Sequence, residues 1–176
     1  MNGAIHVARL GFVSGLQRYL ATYRRRPALR FVFWITAEGL VVAGVVAVIL
    51  VFALQLPGRT DIDLQTFKPS LIFSAVLVGP LIETLILQCL PVIAAQSLRW
   101  NFLGQFIASI VLFAAAHFVV AGVATGISAG IVSGAYFGFT YVHWSQKSYA
   151  TAYALTALSH GLHNLVLLLV AFAFGG

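Results

Sequence analysis

Six side chains able to move a proton or hold a developing charge stand in otherwise apolar surroundings: Glu38, Glu83, His117, His160, His163 and Asn164. Glu83 follows Pro80 by three residues, and a proline removes a backbone donor and disturbs the helical ladder around it. His160 and Asn164 are four residues apart, about 40° around a helix, so they project from one face and can grip one oxygen between them. Phe113 and His117 share a face in the same way, the ring forming an apolar wall beside the imidazole. A carboxylate close to a second base can hold and deprotonate a water, while His and Asn donors stabilise the oxyanion that forms on an attacked carbonyl. The chemistry this set can run is hydrolysis of an amide by activated water. Glu83, His117 and His160 are also permissible zinc ligands, but no local metal-binding motif accompanies them.

The chain that must position these groups has 176 residues, 61% of them hydrophobic and 8% charged, with a mean hydropathy of +0.99. That composition belongs in a bilayer. The net charge of +6 has no solvated surface on which to bind nucleic acid, and instead bears on orientation in the membrane. The single cysteine, Cys89, excludes an internal disulfide framework.

Five apolar segments are expected, at 31–56, 70–95, two between 102 and 142, and 149–174. The uncharged run from Phe102 to Val142 would be about 60 Å long as one helix, roughly twice the hydrocarbon thickness, so it must fold back, with the turn at 121–126. Glycines 122, 126, 130, 134 and 138 then form a bare face on the fourth segment that lets a neighbouring helix approach closely. The fold class is an all-α polytopic membrane bundle of about five helices, residues 31–176 forming one transmembrane domain.

Residues 1–30 hold six of the ten cationic side chains, and Leu10, Val13, Leu16, Leu20 and Tyr23 recur at helical steps. They are expected to form a basic amphipathic arm in the headgroup region. Counting Lys and Arg places this arm, the Arg99 loop and the Lys147 loop in the cytoplasm, with the neutral 57–69 loop and the C-terminus outside. Glu38 lies within about two turns of the arm and is expected to snorkel towards Arg30 or the headgroups, a structural role.

An ionisable group in a spanning helix costs about 2.5–3.5 kcal/mol on insertion scales, so Glu83 and the histidines need a reason to be there. Other intramembrane proteases make different demands. The aspartyl type needs two aspartates at membrane depth, whereas Asp61 and Asp63 lie in a loop. The site-two metalloprotease type needs His-Glu-x-x-His, which Glu83 lacks. A rhomboid-like serine type would pair Ser133-Gly134 with His160, but Ile131 stands where its motif has glycine.

Three segments in order, Pro80-Leu-Ile-Glu83-Thr84-Leu-Ile-Leu-Gln88, Phe113-Ala-Ala-Ala-His117 and His160-Gly-Leu-His163-Asn164, resemble the motifs of the type II CAAX prenyl endopeptidase and bacteriocin-processing (CPBP, or Abi) family. The likeness covers residues 70–174. It implies a CAAX-protease-like core and a metal-free, cofactor-free glutamic endopeptidase of a bacterial inner membrane, acting on a peptide or membrane-anchored protein. Glu83 and His117 would activate the water, and His160 and Asn164 would form the oxyanion site. Phe113 would support His117, while His163 has no motif position. Thr84 stands where the family usually has a second Glu, and Gln88 where it has Arg. Both replacements are neutral, four residues apart and able to hydrogen-bond, so the change looks compensated.

Helix counting from the outer ends sets Glu83, His160 and Asn164 roughly 15–21 Å deep but His117 only about 6 Å deep. A common water requires them to be level. Two other functions compete with hydrolysis: an inactive immunity or scaffold protein whose polar cluster only fixes packing, and a proton-coupled transporter, weakened by the lack of an inverted repeat.

Overall fold

The computed structural model describes residues 19, 21–23, 25–56 and 69–174. The amphipathic arm and the neutral outer loop expected from the sequence therefore lie mostly outside the described residues. Residues up to Phe31 form one compact unit and Val32–Gly176 another. Within the first, Tyr23 stacks edge-on with Tyr19 at 5.3 Å and with Phe31 at 5.4 Å between ring centroids, and the Arg26 guanidinium lies 4.5 Å over the Tyr23 ring.

The described residues are helical, with no strand among them. Four continuous helices are long and apolar enough to cross a membrane: α1 (Ala28–Ala53), α2 (Pro69–Ser97), a 44-residue run Phe102–Ser145, and a last helix starting at Tyr149. The long run is two antiparallel limbs, α3 (Phe102–Thr125) and α4 (126–145), with the reversal at Gly122, where φ is 80° and ψ −177°. An L side chain rarely adopts that conformation, so glycine marks the bend expected within 121–126. The last helix, α5, spans Tyr149–Phe174.

Antiparallel packing of α3 on α4 is written in the glycine stripe. A Cβ built on Gly126 would strike the Phe118 ring, and one on Gly130 would lie 2.9 Å from Ala114 Cα. The series continues with Gly134 against Phe113 at 2.9 Å and Gly138 against Ser109 at 2.7 Å. Each step down α4 meets a residue further back along α3, and none leaves room for a methyl group. In a bilayer, where burial of apolar surface does not drive helices together, such close backbone approach supplies the packing.

At the other end of the hairpin, polar side chains tie the loops together. Gln96 Nε2 donates to Gln105 Oε1 and to Ser145 Oγ, both at 3.2 Å, and Tyr149 OH donates to Gln96 Oε1 at 2.8 Å. The Arg99 and Lys147 loops therefore share one end of the bundle, as the alternation of spans requires. Asn101 caps α3 by accepting from the Gly104 amide at 2.9 Å. Helix α1 joins through a 2.6 Å contact between the Thr36 and Ser159 hydroxyls and through Tyr136 OH donating to Glu38 Oε1 at 3.1 Å. That second bond gives Glu38 a partner inside the bundle.

Candidate functional site

Helix α2 is irregular where it carries Glu83. A single α-helical turn, Gly79–Glu83, lies between two wide π-type segments, Ser74–Val78 and Thr84–Cys89. Pro80 explains the first irregularity. The Gly79 amide bonds back five residues to Ser74 O, and Pro80 has no N–H, so Ala75 O lacks its donor four residues on and its donor five residues on. Asn164 Nδ2 on α5 supplies one at 2.9 Å. Beside it, a Cβ on Gly161 would lie 2.5 Å from Val76 O, so only glycine lets α5 come this near the broken ladder. Within the turn itself, Tyr153 OH donates to Leu81 O at 3.1 Å. Two side chains of α5 thus hold the α2 backbone, one just before the turn that presents Glu83 and one within it.

Glu83 Oε2 lies 3.7 Å from His160 Nε2, and the Glu83 side chain keeps 39% of its exposure while that of His160 keeps 4%. The carboxylate is the accessible partner and the imidazole the buried one. His160 stacks on Phe137 at 4.5 Å and 26°, and meets Phe113 edge-on at 5.5 Å. Phe113 in turn stacks on His117 at 4.4 Å and 28°. One phenyl ring therefore separates two imidazoles. Glu83 and His117 are not hydrogen-bonded to each other; their contacts are to His160 and to Phe113 respectively.

His117 Nδ1 lies 2.9 Å from Phe113 O. A carbonyl can only accept, so Nδ1 donates in this bond and Nε2 is not engaged by it. The glycine stripe sets this geometry: Gly130 lies beneath His117 Cβ and Gly134 beneath the Phe113 ring.

The depth mismatch disappears when depth is counted from the tied end of the bundle. At 1.5 Å per residue, Glu83 stands about 21 Å above Ser97, His117 about 22 Å above Phe102, and His160 about 17 Å above Tyr149. The Gly122 bend sits lower than the outer ends of α2 and α5, which is why counting from the outside placed His117 too high.

The remaining sequence candidates divide. Asn164 is on the site face of α5 but commits an amide N–H to Ala75 O rather than pointing it beside Glu83. His163 turns away from Glu83: its Nε2 lies 3.3 Å from Ser133 Oγ, and its ring meets Phe137 at 5.5 Å. Thr84 and Gln88 are fully buried, yet they do not bond to each other. Gln88 Oε1 instead accepts from Ser109 Oγ, in the space opened by Gly138. The serine pairing weighed from sequence shifts partner as well, since Ser133 reaches His163, not His160. No cluster of three or more His, Cys, Asp or Glu with metal-ligand geometry occurs among the described residues.

Phe137 and Gly161 were not among the sequence candidates. A phenylalanine inside an apolar helix carries no local signal. Gly161 did carry one, because a glycine within a helix costs about 1 kcal/mol relative to alanine and so points to a close approach.

No family model, curated protein or solved structure matches this chain. Its function must therefore be sought in the site's own geometry and in the motif resemblance.

Proposed function

We propose that the chain is an intramembrane endopeptidase of the CAAX-protease-like glutamic type, cutting a peptide or membrane-anchored protein. The observation that carries this reading is a half-exposed Glu83 carboxylate 3.7 Å from a buried imidazole, with His117 presenting a free Nε2 from the other side of Phe113. A water shared by Glu83 and His117 gives up a proton to the carboxylate as its oxygen attacks the scissile carbonyl carbon. His160, directed to the same space, donates to the oxygen that becomes negative. Collapse of the tetrahedral species breaks the C–N bond, and the protonated Glu83 returns its proton to the departing amine. Every atom in this sequence comes from peptide and water, and it requires no metal or organic cofactor. The charge bias of the loops supports a cytoplasmic N-terminus and an outer C-terminus, and a bacterial inner membrane rests on the motif resemblance alone.

A second reading has an observation of its own. Ser133 Oγ lies 3.3 Å from His163 Nε2, a nucleophile-and-base pair. It is the weaker one, since Ser133 also lies 3.4 Å from Ser128 O and its single proton cannot serve both acceptors. Both residues are also buried, whereas Glu83 is accessible.

The test is cleavage of membrane-anchored peptides by purified protein with a chelator present. Glu83→Gln and His117→Ala should each abolish cleavage while leaving helicity unchanged. A scaffold predicts no cleavage by the unsubstituted protein, and a proton relay predicts proton flux without cleavage.

A further inference from the structure

We infer that Asn164 is a positioning residue: its side-chain amide replaces the backbone donor that Pro80 lacks, and thereby fixes the Gly79–Glu83 turn that carries the carboxylate. Only the link from this turn to catalysis rests on the hydrolase reading.

The donors open to one carbonyl can be counted. In an α-helix Ala75 O would accept from the amide of residue 79, and in a π-helix from that of residue 80. The first is committed to Ser74 O and the second does not exist in proline. A backbone carbonyl without a donor at membrane depth is costly, which is why irregular helices there recruit neighbouring side chains. The Asn164 amide fills the deficit at 2.9 Å. The same stretch of α5 carries Gly161, against which Val76 O rests, so approach and donation come from one helix face. His160 belongs to this stretch too, and its contact with Glu83 is set by the same docking. Pro80, Gly161, Asn164, His160 and Glu83 form one mechanical unit, in which the proline opens the α2 ladder and α5 closes it.

An oxyanion donor and a stand-in for a missing amide differ in what rescues their loss. Pro80→Ala restores the N–H, giving the α2 carbonyls their own donor. We therefore cross Asn164→Leu with Pro80→Ala and measure three properties in detergent: the thermal unfolding midpoint, the infrared carboxyl band of Glu83 assigned by its loss in Glu83→Gln, and kcat and KM for peptide cleavage. With Pro80 in place, Asn164→Leu should lower the midpoint, shift the carboxyl band and reduce kcat by about 10-fold or more with KM little changed. In the Pro80→Ala background, the same substitution should lose at most half as much in each. If Asn164→Leu folds only in the Pro80→Ala background, that rescue is itself the expected result. Equal losses in both backgrounds, or failure to fold in both, overturn the inference. The midpoint and the infrared band decide it even if no peptide is cleaved. Failure of the hydrolase reading is a separate outcome, seen as absence of cleavage by the unsubstituted protein.

Discussion

The Glu83 carboxylate and the His160 imidazole approach to 3.7 Å across the α2–α5 interface, one accessible and one sealed behind Phe113 and Phe137. The proposed hydrolase rests on this asymmetry of exposure. A carboxylate needed only for adhesion between helices would be expected to bury itself and make short hydrogen bonds, as the Thr36–Ser159 hydroxyl pair does.

In the proposed reaction, replacing His117 with alanine removes the second group that holds the water beside Glu83, and it leaves the Phe113 ring without its stacking partner. Cleavage should be lost, a fall of about 10²- to 10⁴-fold or more being what one acid–base group contributes, with a folded protein. Circular dichroism alongside turnover separates this from unfolding. Phe113→Leu should cost less in rate, because the carbonyl that orients His117 Nδ1 belongs to the backbone.

Gly130→Val and Gly134→Val each force a side chain into α3, where even a Cβ meets atoms at 2.9 Å. Each should destabilise the bundle by about 1–3 kcal/mol or more, as overpacking does. Thermal unfolding in detergent measures this. Gly44→Ala is the control, since a Cβ there meets nothing within 4 Å.

Gly161→Ala should be more damaging than its size suggests, because the methyl group would press on Val76 O, a backbone atom that cannot rotate away. The expected outcome is a lowered midpoint together with loss of cleavage, since α5 would withdraw both His160 and Asn164 from α2.

Gln88→Arg alone would place a cation at a fully buried position whose partner is the Ser109 hydroxyl. An unpaired buried charge costs roughly 3–5 kcal/mol, so this variant should express poorly or unfold early. Adding Thr84→Glu should recover part of the loss, and a double-mutant cycle on unfolding midpoints measures the coupling.

Much of the scaffold was legible in the sequence because membrane helices obey few rules. Length limits put a bend in the 102–142 run, and Gly122 bends it. The four-residue glycine stripe foretold close packing, and it seats Phe113 and His117. Of the candidate site, Glu83, His117 and His160 could be chosen because ionisable groups at that depth are scarce; in the structure His117 and His160 both meet Phe113, and Glu83 lies 3.7 Å from His160. What lay beyond the sequence were relationships across helices. Nothing local says that Asn164 reaches Ala75 O, that Ser133 faces His163 rather than His160, or that Gln88 finds Ser109 instead of Thr84. The count of His117 close to its bend holds, since Gly122 turns the chain five residues on, but the bend sits lower than the outer ends of α2 and α5, a relation between helices that no single segment records.

The most direct test of Glu83 as the hydrolytic base is to compare Glu83→Gln with Ser133→Ala on one membrane-anchored peptide substrate, in purified protein of unchanged helicity. Cleavage should be lost in Glu83→Gln and kept within a few-fold of the unsubstituted rate in Ser133→Ala. Cleavage that survives Glu83→Gln, or that disappears with Ser133→Ala alone, would contradict the account.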